Sequence, residues 1–195
     1  MGELRTVQGN TLISIEKPAL QIQMEAVFTY AGNLQYVLYD VAEVDKYLFV
    51  VADEANRVTR FLWFQFESFL PHVLKQYNYP SEPIVTLRGR DFVHDTRFFD
   101  MAPWFAERPG SDGERMANFL TQQGYDISTA MMRTRFIHLL DEQKRDELMI
   151  IYGEPLWMHG LTVDMLDDGG AAASQWPQLA LDLYQRAITA FNICD

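Results

Sequence analysis

The segment RGRDFVHDTRFFDMAPWF (residues 88–105) sets a histidine beside an aspartate, with arginines and aromatic side chains around them. Histidine titrates near neutral pH and can serve as a general acid or base when a carboxylate orients it. If residues 91–99 form a β-strand, His94 and Asp95 point to opposite faces, because side chains alternate along a strand. The pattern therefore favours a half-buried strand, and His94 is a candidate catalytic residue only if the protein is an enzyme.

A second group of candidates lies in RFLWFQFESFL (residues 60–70). On a strand, Trp63, Gln65 and Glu67 share one face with two phenylalanines, and the opposite face is a plain core face. Aromatic walls with a few placed polar groups are typical of ligand pockets. We predict that Trp63, Gln65 and Glu67 line a binding pocket. The alternative is an outer sheet face on which the amide and the carboxylate reach water.

Arg133 and Arg135 are two residues apart in the apolar segment 130–140, so a strand there places both guanidinium groups on one face. Such a pair can clamp a carboxylate or a phosphate, and we include both arginines as candidate ligand-binding residues. In an acidic protein, internal ion pairing is the favoured interpretation, with Glu25 or Glu67 as available partners.

His138 lies in the same segment, on the opposite face of the predicted strand. A lone histidine there is usually a hydrogen-bonded core residue, but a carboxylate such as Glu154 nearby would let it titrate near neutral pH. His138 is therefore a catalytic candidate for the enzyme hypothesis, and Tyr152 on the following strand is a ligand-binding candidate. The YNYP segment (residues 77–80) and the pair Trp104–Phe105 are candidates for a lid or a dimer interface.

The amino-acid composition argues against several classes of binding partner. The formal net charge of −11 disfavours nucleic acid and anionic membranes. The single cysteine, Cys194, permits neither an intrachain disulfide nor a cysteine-based zinc site, which fits a reducing, cytoplasmic compartment. The sequence has no phosphate-binding glycine motif and no nucleophile elbow, and its apolar runs are too short to span a membrane. We expect no metal, no cofactor, no nucleic acid and no membrane partner.

Alternation of apolar and polar residues with a period of two predicts strands along much of the chain. The predicted strands cover residues 20–28, 34–44, 46–52, 57–70, 84–87, 91–99, 130–140, 148–153 and 161–166. Hairpin turns are expected at residues 31–33, at residues 88–90 and in the charged segment before residue 148, and loops at residues 103–113 and 167–174.

Two helices are predicted among these strands. Ser111, with Glu114 three residues later, forms a capping box, and Gly124 is suited to end the helix, so residues 112–123 should be helical. An apolar stripe at i, i+3, i+4 and i+7 spacing predicts a second, amphipathic helix over residues 177–191.

These elements predict one α+β domain over residues 1–195, with a mostly antiparallel sheet that is strongly curved or a partial barrel. The C-terminal helix should pack on the sheet and leave a cavity between them. We hypothesise that the domain binds a small, mainly apolar organic ligand there. The alternatives are an enzyme in which His138 or His94 pairs with a carboxylate, and a structural or interaction subunit without a site, such as a homodimer.

Overall fold

The computed structural model describes residues 4–194, which form eleven strands and four α-helices. In chain order the strands are β1 (Arg5–Gln8), β2 (Thr11–Ser14), β3 (Leu20–Met24), β4 (Thr29–Leu38), β5 (Ala42–Ala52), β6 (Val58–Phe69), β7 (Ile84–Leu87), β8 (Arg90–Asp100), β9 (Ala130–Leu139), β10 (Asp146–Pro155) and β11 (Phe191–Cys194). The helices are α1 (Ala102–Glu107), α2 (Asp112–Gln122), α3 (Val163–Leu166) and α4 (Trp176–Ala190).

The strands form two antiparallel sheets. The larger sheet has seven strands in the order β4-β5-β6-β10-β9-β8-β7, and the smaller has four in the order β1-β2-β3-β11. The larger sheet therefore consists of two meanders, β4 to β6 and β7 to β10, which are joined by the pairing of β6 with β10. This architecture confirms the predicted α+β class with mostly antiparallel sheet, although there are two sheets and neither closes into a barrel.

Alternation along the strands gives the larger sheet two different buried faces. On the face that we call the α4 face, Phe64, Phe136 and Ile150 pack with Leu183 and Ala187 of α4, and all five side chains are fully buried. The smaller sheet contributes to the same core. The residues that it adds are Leu12, Leu20, Ile22, Met24, Phe191 and Ile193. Burial of one large apolar side chain stabilises the fold by about 1.5–3 kcal/mol, so this core holds both sheets and α4 together.

The opposite face of the larger sheet, which we call the α2 face, packs against α2. Trp63 and Ile151 of the sheet share a second buried cluster with Met116 and Leu120 of the helix. Because both faces are covered, polar side chains on the central strands cannot reach water unless they lie near the rim of the sheet.

The helix predictions agree with the structure to within one residue at each end. The side chain of Ser111 accepts a hydrogen bond from the Glu114 amide at 3.4 Å, as the capping box predicts. The Glu114 carboxylate accepts from the Gly110 amide, one residue before the expected Ser111 amide, which donates to the Arg108 carbonyl instead. In α4, Pro177 occupies the first turn, where its missing N–H leaves no hydrogen bond unmade.

Several of the predicted elements are wrong. The predicted strand at residues 34–44 crosses a reversal of the chain, the one at residues 20–28 ends at Met24, and the predicted loop at residues 103–113 contains α1. The predicted turn at residues 31–33 and the predicted strand at residues 161–166 are also absent. Residues 31–33 lie inside β4 at a bulge, where Phe119 of α2 comes so close to Gly32 that an added Cβ would lie 2.7 Å from the ring. The chain instead reverses at Tyr39 and Asp40, both of which have positive φ. The predicted strand at residues 161–166 is the short helix α3, whose first turn is capped by the side chain of Thr162.

Several short elements carry no strong sequence signal and were not predicted. They are β1, β2, β11 and α1, and each has only four to six residues. None of the helices within residues 4–194 has the length and apolar character needed to cross a membrane.

Candidate functional site

The centre of the α2 face carries buried polar side chains where an apolar core would be expected. Lys46, Gln65, Glu67 and Glu147, which we call the polar layer, are at most 8% exposed. They come from the three adjacent strands β5, β6 and β10, with Lys46 directly opposite Gln65 and Glu67 directly opposite Glu147. Burying such groups is costly unless they are hydrogen-bonded, so their partners determine what the layer can do.

Along β6 the polar groups form a chain of hydrogen bonds. Trp63 Nε1 donates to Gln65 Oε1 at 2.9 Å, and Gln65 Nε2 donates to Glu67 Oε2 at 2.6 Å. Residues two apart on a strand share a face, which is why the spacing in the sequence places these three side chains in line. The chain orients the amide and leaves the second oxygen of Glu67 for another donor.

That donor comes from the long connection between β6 and β7, residues 70–83, which we call the strap. Tyr77 donates its hydroxyl to Glu67 Oε1 at 2.8 Å, and Tyr79 donates to Glu147 Oε2 at 2.8 Å. The ring of Tyr77 also stacks on Phe69 with centroids 4.3 Å apart. One surface segment therefore covers both carboxyl groups, using a tyrosine for each.

Arg145, which precedes β10, holds the strap in place. Its Nη1 donates to the Val73 carbonyl at 2.6 Å and its Nη2 to the Leu70 carbonyl at 2.9 Å. The backbone amide of Tyr77 donates to the Lys144 carbonyl at 2.8 Å. The planar guanidinium matches several acceptors at once, so one side chain holds the first part of the strap, up to Lys75.

Burial shifts the pKa values of the polar layer strongly. Desolvation, and then the facing Glu67, raises the pKa of Glu147 to about 8. Desolvation, followed by the charge of Asp112, also raises the pKa of Glu67. Burial lowers the pKa of Lys46 to about 8 against the opposing effect of Asp112. Two carboxyl groups that face each other in a dry site resist simultaneous ionisation, which is the physical basis of paired acid groups.

The ammonium group of Lys46 connects the layer to α2. Its Nζ donates to the backbone carbonyl and the carboxylate of Asp112 at 3.1 and 3.2 Å, and it lies 3.6 Å from the centre of the Trp63 ring. The hydroxyl of Tyr36 forms a short hydrogen bond to the same carboxylate. The ion pair of Lys46 and the hydrogen bond of Tyr36, both to Asp112, therefore position the start of α2 over the polar layer, and the Trp63 ring holds the Lys46 ammonium by a cation–π contact.

The two arginines predicted to bind a ligand lie on the same face, but they are engaged with the protein itself. Arg133 Nη1 donates to Asp95 Oδ1 at 2.6 Å, and Arg135 Nε donates to Asp95 Oδ2 at 2.6 Å. Burial opposes ionisation of Asp95, but the two guanidinium groups outweigh it and lower the pKa of that carboxyl. The internal ion pairing that the sequence favours is present, and the partner is Asp95 rather than Glu25 or Glu67.

The remaining candidates from the sequence lie on the α4 face, away from the polar layer. His94 Nε2 is 2.8 Å from the hydroxyl of Thr134, and His138 Nδ1 is 2.9 Å from the backbone carbonyl of Asp91. Tyr152 donates its hydroxyl to Glu154 Oε1 at 2.6 Å. The structure therefore brings together Trp63, Gln65, Glu67, Arg133 and Arg135 on one face, and separates them from His94, His138 and Tyr152.

Glu154 does contact a histidine, but not the one considered in the sequence. Its Oε2 lies 2.8 Å from His159 Nε2, and its Oε1 accepts from Arg186 Nε at 2.7 Å. Burial opposes ionisation of this carboxyl, whereas the hydrogen bonds from Arg186 and Tyr152 lower its pKa. The Glu154 carboxylate therefore binds α4 to the sheet through Arg186, which is a structural role.

The sequence does not single out two members of the site, Lys46 and Glu147. Lys46 belongs to a predicted central strand and Glu147 to a predicted charged turn. Tyr77 and Tyr79 are predicted only as part of a lid candidate. The strand predicted at residues 148–153 begins two residues earlier in the structure, at Asp146. Alternation along this longer strand places Glu147 on the same face as Met149 and Ile151. Its pairing with Glu67 depends on which strands are neighbours, and no local pattern reveals that.

No protein-family model, curated protein or solved structure matches this chain. Within residues 4–194, no group of three or more histidine, cysteine, aspartate or glutamate side chains is arranged to hold a metal ion. The polar layer and the strap are therefore the basis for a functional assignment.

Proposed function

We propose that the protein binds a small organic molecule on the α2 face, at the polar layer beneath the strap. The observation that carries this proposal is the pair of facing carboxyl groups, Glu67 and Glu147, each held by a tyrosine hydroxyl of the same surface segment. A ligand that donates hydrogen bonds can take the place of the two hydroxyls when the strap moves aside.

The stability of the fold does not require this arrangement. Apolar residues of similar volume would stabilise the sheet at least as well as buried charged groups. Sequences break such packing rules chiefly at functional sites, and strongly shifted pKa values cluster there too. The aromatic ring of Trp63 and the side chain of Met149 flank the polar groups on the same face, so the site offers apolar contact as well as hydrogen-bond acceptors.

A second candidate function is acid–base catalysis at the same place. A pKa of about 8 keeps the buried Glu147 carboxyl largely protonated at neutral pH, which suits a general acid. Glu67, directly opposite, would hold the complementary charge. This pair replaces His94 and His138 as the favoured acid–base candidates, because those histidines have hydroxyl and carbonyl partners.

Native mass spectrometry of the purified protein, repeated under denaturing conditions, tests the binding proposal. We expect a mass excess that is lost on denaturation and is absent from the double variant Glu67→Gln/Glu147→Gln. Each amide keeps the shape of the carboxyl group and one oxygen that can accept from its tyrosine, although glutamine at position 67 cannot also accept from Gln65. Glu142→Gln, an exposed carboxylate in the turn before β10, is the matched control. The same spectrum reports whether the protein is a homodimer.

If the protein is isolated without a ligand, a fragment screen monitored by amide NMR spectra replaces the first measurement. Binding beneath the strap should shift the signals of Tyr77 and Tyr79, and the double variant should not respond. A ligand that binds both forms equally, or a screen in which the strap signals never move, would refute the proposal. Catalysis is distinguished by chemical conversion of the bound molecule that Glu147→Gln abolishes while binding persists.

A further inference from the structure

A second concave region, separate from the polar layer, lies where the smaller sheet meets one end of the larger sheet. This junction cleft has a volume of about 1040 Å³ and is bounded by β1, the turn after β2, the ends of β4, β5 and β6, and the β9–β10 loop. Its volume is at the upper end of the range for small-molecule sites, and it is open to solvent without any movement of the strap.

The cationic side chains of the cleft already have partners within the protein. Arg5 Nη1 pairs with Asp45 Oδ2 at 3.1 Å, and Lys17 Nζ pairs with Asp146 Oδ1 at 3.3 Å. The third cation, Arg145, directs its guanidinium to the backbone carbonyls of the strap. The charges of Arg5 and Lys17 are therefore already neutralised by carboxylates of the protein.

The carboxylates of the cleft outnumber these cations. Glu16 and Glu43 line the cleft, are exposed, and form no ion pair within the described residues 4–194. Asp141 also lines it, and its carboxylate receives only a long contact of 3.5 Å from the Arg145 amide. These groups leave the cleft with an uncompensated negative charge, in a protein whose formal net charge is −11.

Aromatic side chains also line the cleft. The guanidinium of Arg5 lies 3.8 Å from the centre of the Phe66 ring, and that of Arg115 lies 4.6 Å from the centre of the Tyr36 ring. Both rings line the cleft, together with Phe69 and Tyr47. Guanidinium groups of the protein therefore already cover one face of each of these two rings, and Arg115 itself does not line the cleft. What the aromatic side chains offer a ligand is apolar contact.

We infer that the junction cleft binds a small organic cation, an amine or guanidinium group attached to an apolar or aromatic body. The free carboxylates Glu16 and Glu43 neutralise the charge, and the aromatic walls accommodate the body. The acidic surface of the whole protein increases the local concentration of such cations. This inference does not depend on the function proposed for the polar layer.

Three probes with the same phenylethyl body test the inference: 2-phenylethylamine as the cation, 3-phenylpropionate as the anion and 2-phenylethanol as the neutral molecule. Each is titrated into the full-length protein at low salt and followed in amide NMR spectra. We expect the amine to shift the signals of Gln35, Glu43 and Ser68, and to bind at least roughly tenfold more tightly than the other two probes. Raising the salt concentration should weaken its binding, because salt screens exposed charges.

The double variant Glu16→Gln/Glu43→Gln should lose this preference for the amine. Glu54→Gln is the control, since Glu54 is an exposed carboxylate in the turn between β5 and β6, at the opposite end of the sheet. Equal binding of the amine and the alcohol, or unchanged selectivity in the double variant, would overturn the inference. It would also be overturned if no probe moves the cleft signals. A response of the strap signals alone would concern the polar layer instead.

Discussion

At the scale of single residues, Glu147 is the clearest source of a measurable effect. It is 1% exposed, and burial raises its pKa from 4.5 to about 8. In the unfolded chain the carboxyl ionises near its ordinary pKa, so between about pH 4.5 and pH 8 the folded state retains a proton that the unfolded state has lost. The stabilisation linked to this proton is complete below pH 4.5 and is lost as the pH rises through 8.

We predict that Glu147→Gln becomes progressively more stable than the wild type between pH 5 and pH 8. The amide cannot ionise, so the relative gain in free energy of unfolding should reach on the order of 3 kcal/mol over this range. Lys46 does not mask the effect. Its pKa is lowered to about 8 in the folded protein, so its contribution to the free energy of unfolding changes with pH mainly above pH 8. Urea denaturation at pH 5, 6.5 and 8 measures it.

Glu142→Gln serves as the control, since this exposed carboxylate should leave the pH dependence of the wild type unchanged. Parallel curves for the wild type and Glu147→Gln would mean that Glu147 is ionised in the folded protein at neutral pH. The acid–base candidate would then lose its proton donor.

The sequence predicted which side chains share a face of the sheet wherever this depends only on alternation along one strand. It predicted that His94 and Asp95 point apart, and the structure places them on the α4 face and the α2 face. It also grouped Trp63, Gln65 and Glu67 on one face. It could not identify Glu147 as the neighbour of Glu67, because that contact depends on the pairing of β6 with β10 rather than on any local pattern.

At the scale of elements, the strap is the segment that we expect to open most readily on its own. Residues 70–83 contain no helix or strand, and Leu74 at its apex is 95% exposed. Its attachment depends on the two tyrosine hydroxyls and on the guanidinium of Arg145. Segments with few buried contacts open without unfolding the rest of the protein.

We predict that Arg145→Ala frees the strap while the sheets remain folded. Loss of these hydrogen bonds should lower the free energy of local opening by about 2 kcal/mol, so the amides of Val73 and Tyr77 should exchange with solvent roughly thirtyfold faster. Hydrogen–deuterium exchange followed by NMR or mass spectrometry measures this directly.

Arg145→Lys separates charge from geometry. Lysine keeps the positive charge but lacks the planar arrangement of donors, so it should restore only part of the protection. Full protection in Arg145→Lys would show that charge alone holds the strap. A uniform increase in exchange over all strands would show that Arg145 supports the whole fold rather than this segment.

Helices were predictable from the sequence when a capping motif or an apolar stripe lay within the segment itself. The capping box at Ser111 and the stripe of α4 each define a helix within one chain segment. By contrast, β1, β2 and β11 are four-residue strands that exist because they pair with β3 and with one another. The segment 161–166 is apolar enough for a strand, but the hydroxyl of Thr162 starts a helical turn there.

At the scale of the whole molecule, the two sheets share one core. Ile22 of β3 is fully buried and lies opposite Ile193 of β11, and both pack in the cluster that contains Phe64 and Phe136 of the larger sheet. Ion pairs from Arg5 to Asp45 and from Lys17 to Asp146 join the sheets at the rim. We therefore expect the sheets to unfold together, as the predicted single domain requires.

We predict that Ile22→Ala destabilises the entire protein by about 2–4 kcal/mol, as is usual for truncation in a packed core. Far-ultraviolet circular dichroism and tryptophan fluorescence should report one coincident thermal transition, shifted to lower temperature. Gln23→Ala is the control, since Gln23 is the exposed neighbour on the same strand. Two separate transitions would mean that the smaller sheet is an independent unit, which would contradict the single-domain prediction.

The order of strands in the larger sheet has a consequence for how the protein folds. Each meander can assemble from neighbouring hairpins, but joining them requires β6 to find β10, and the hydrogen-bonded residues Ser68 and Asp146 are 78 positions apart in the chain. Closing so long a loop is entropically unfavourable, so we expect this seam to form late on the folding pathway. The facing carboxyl groups of Glu67 and Glu147 lie across the seam. Neither meander contains them as a pair, so we expect the site to form only when this seam closes.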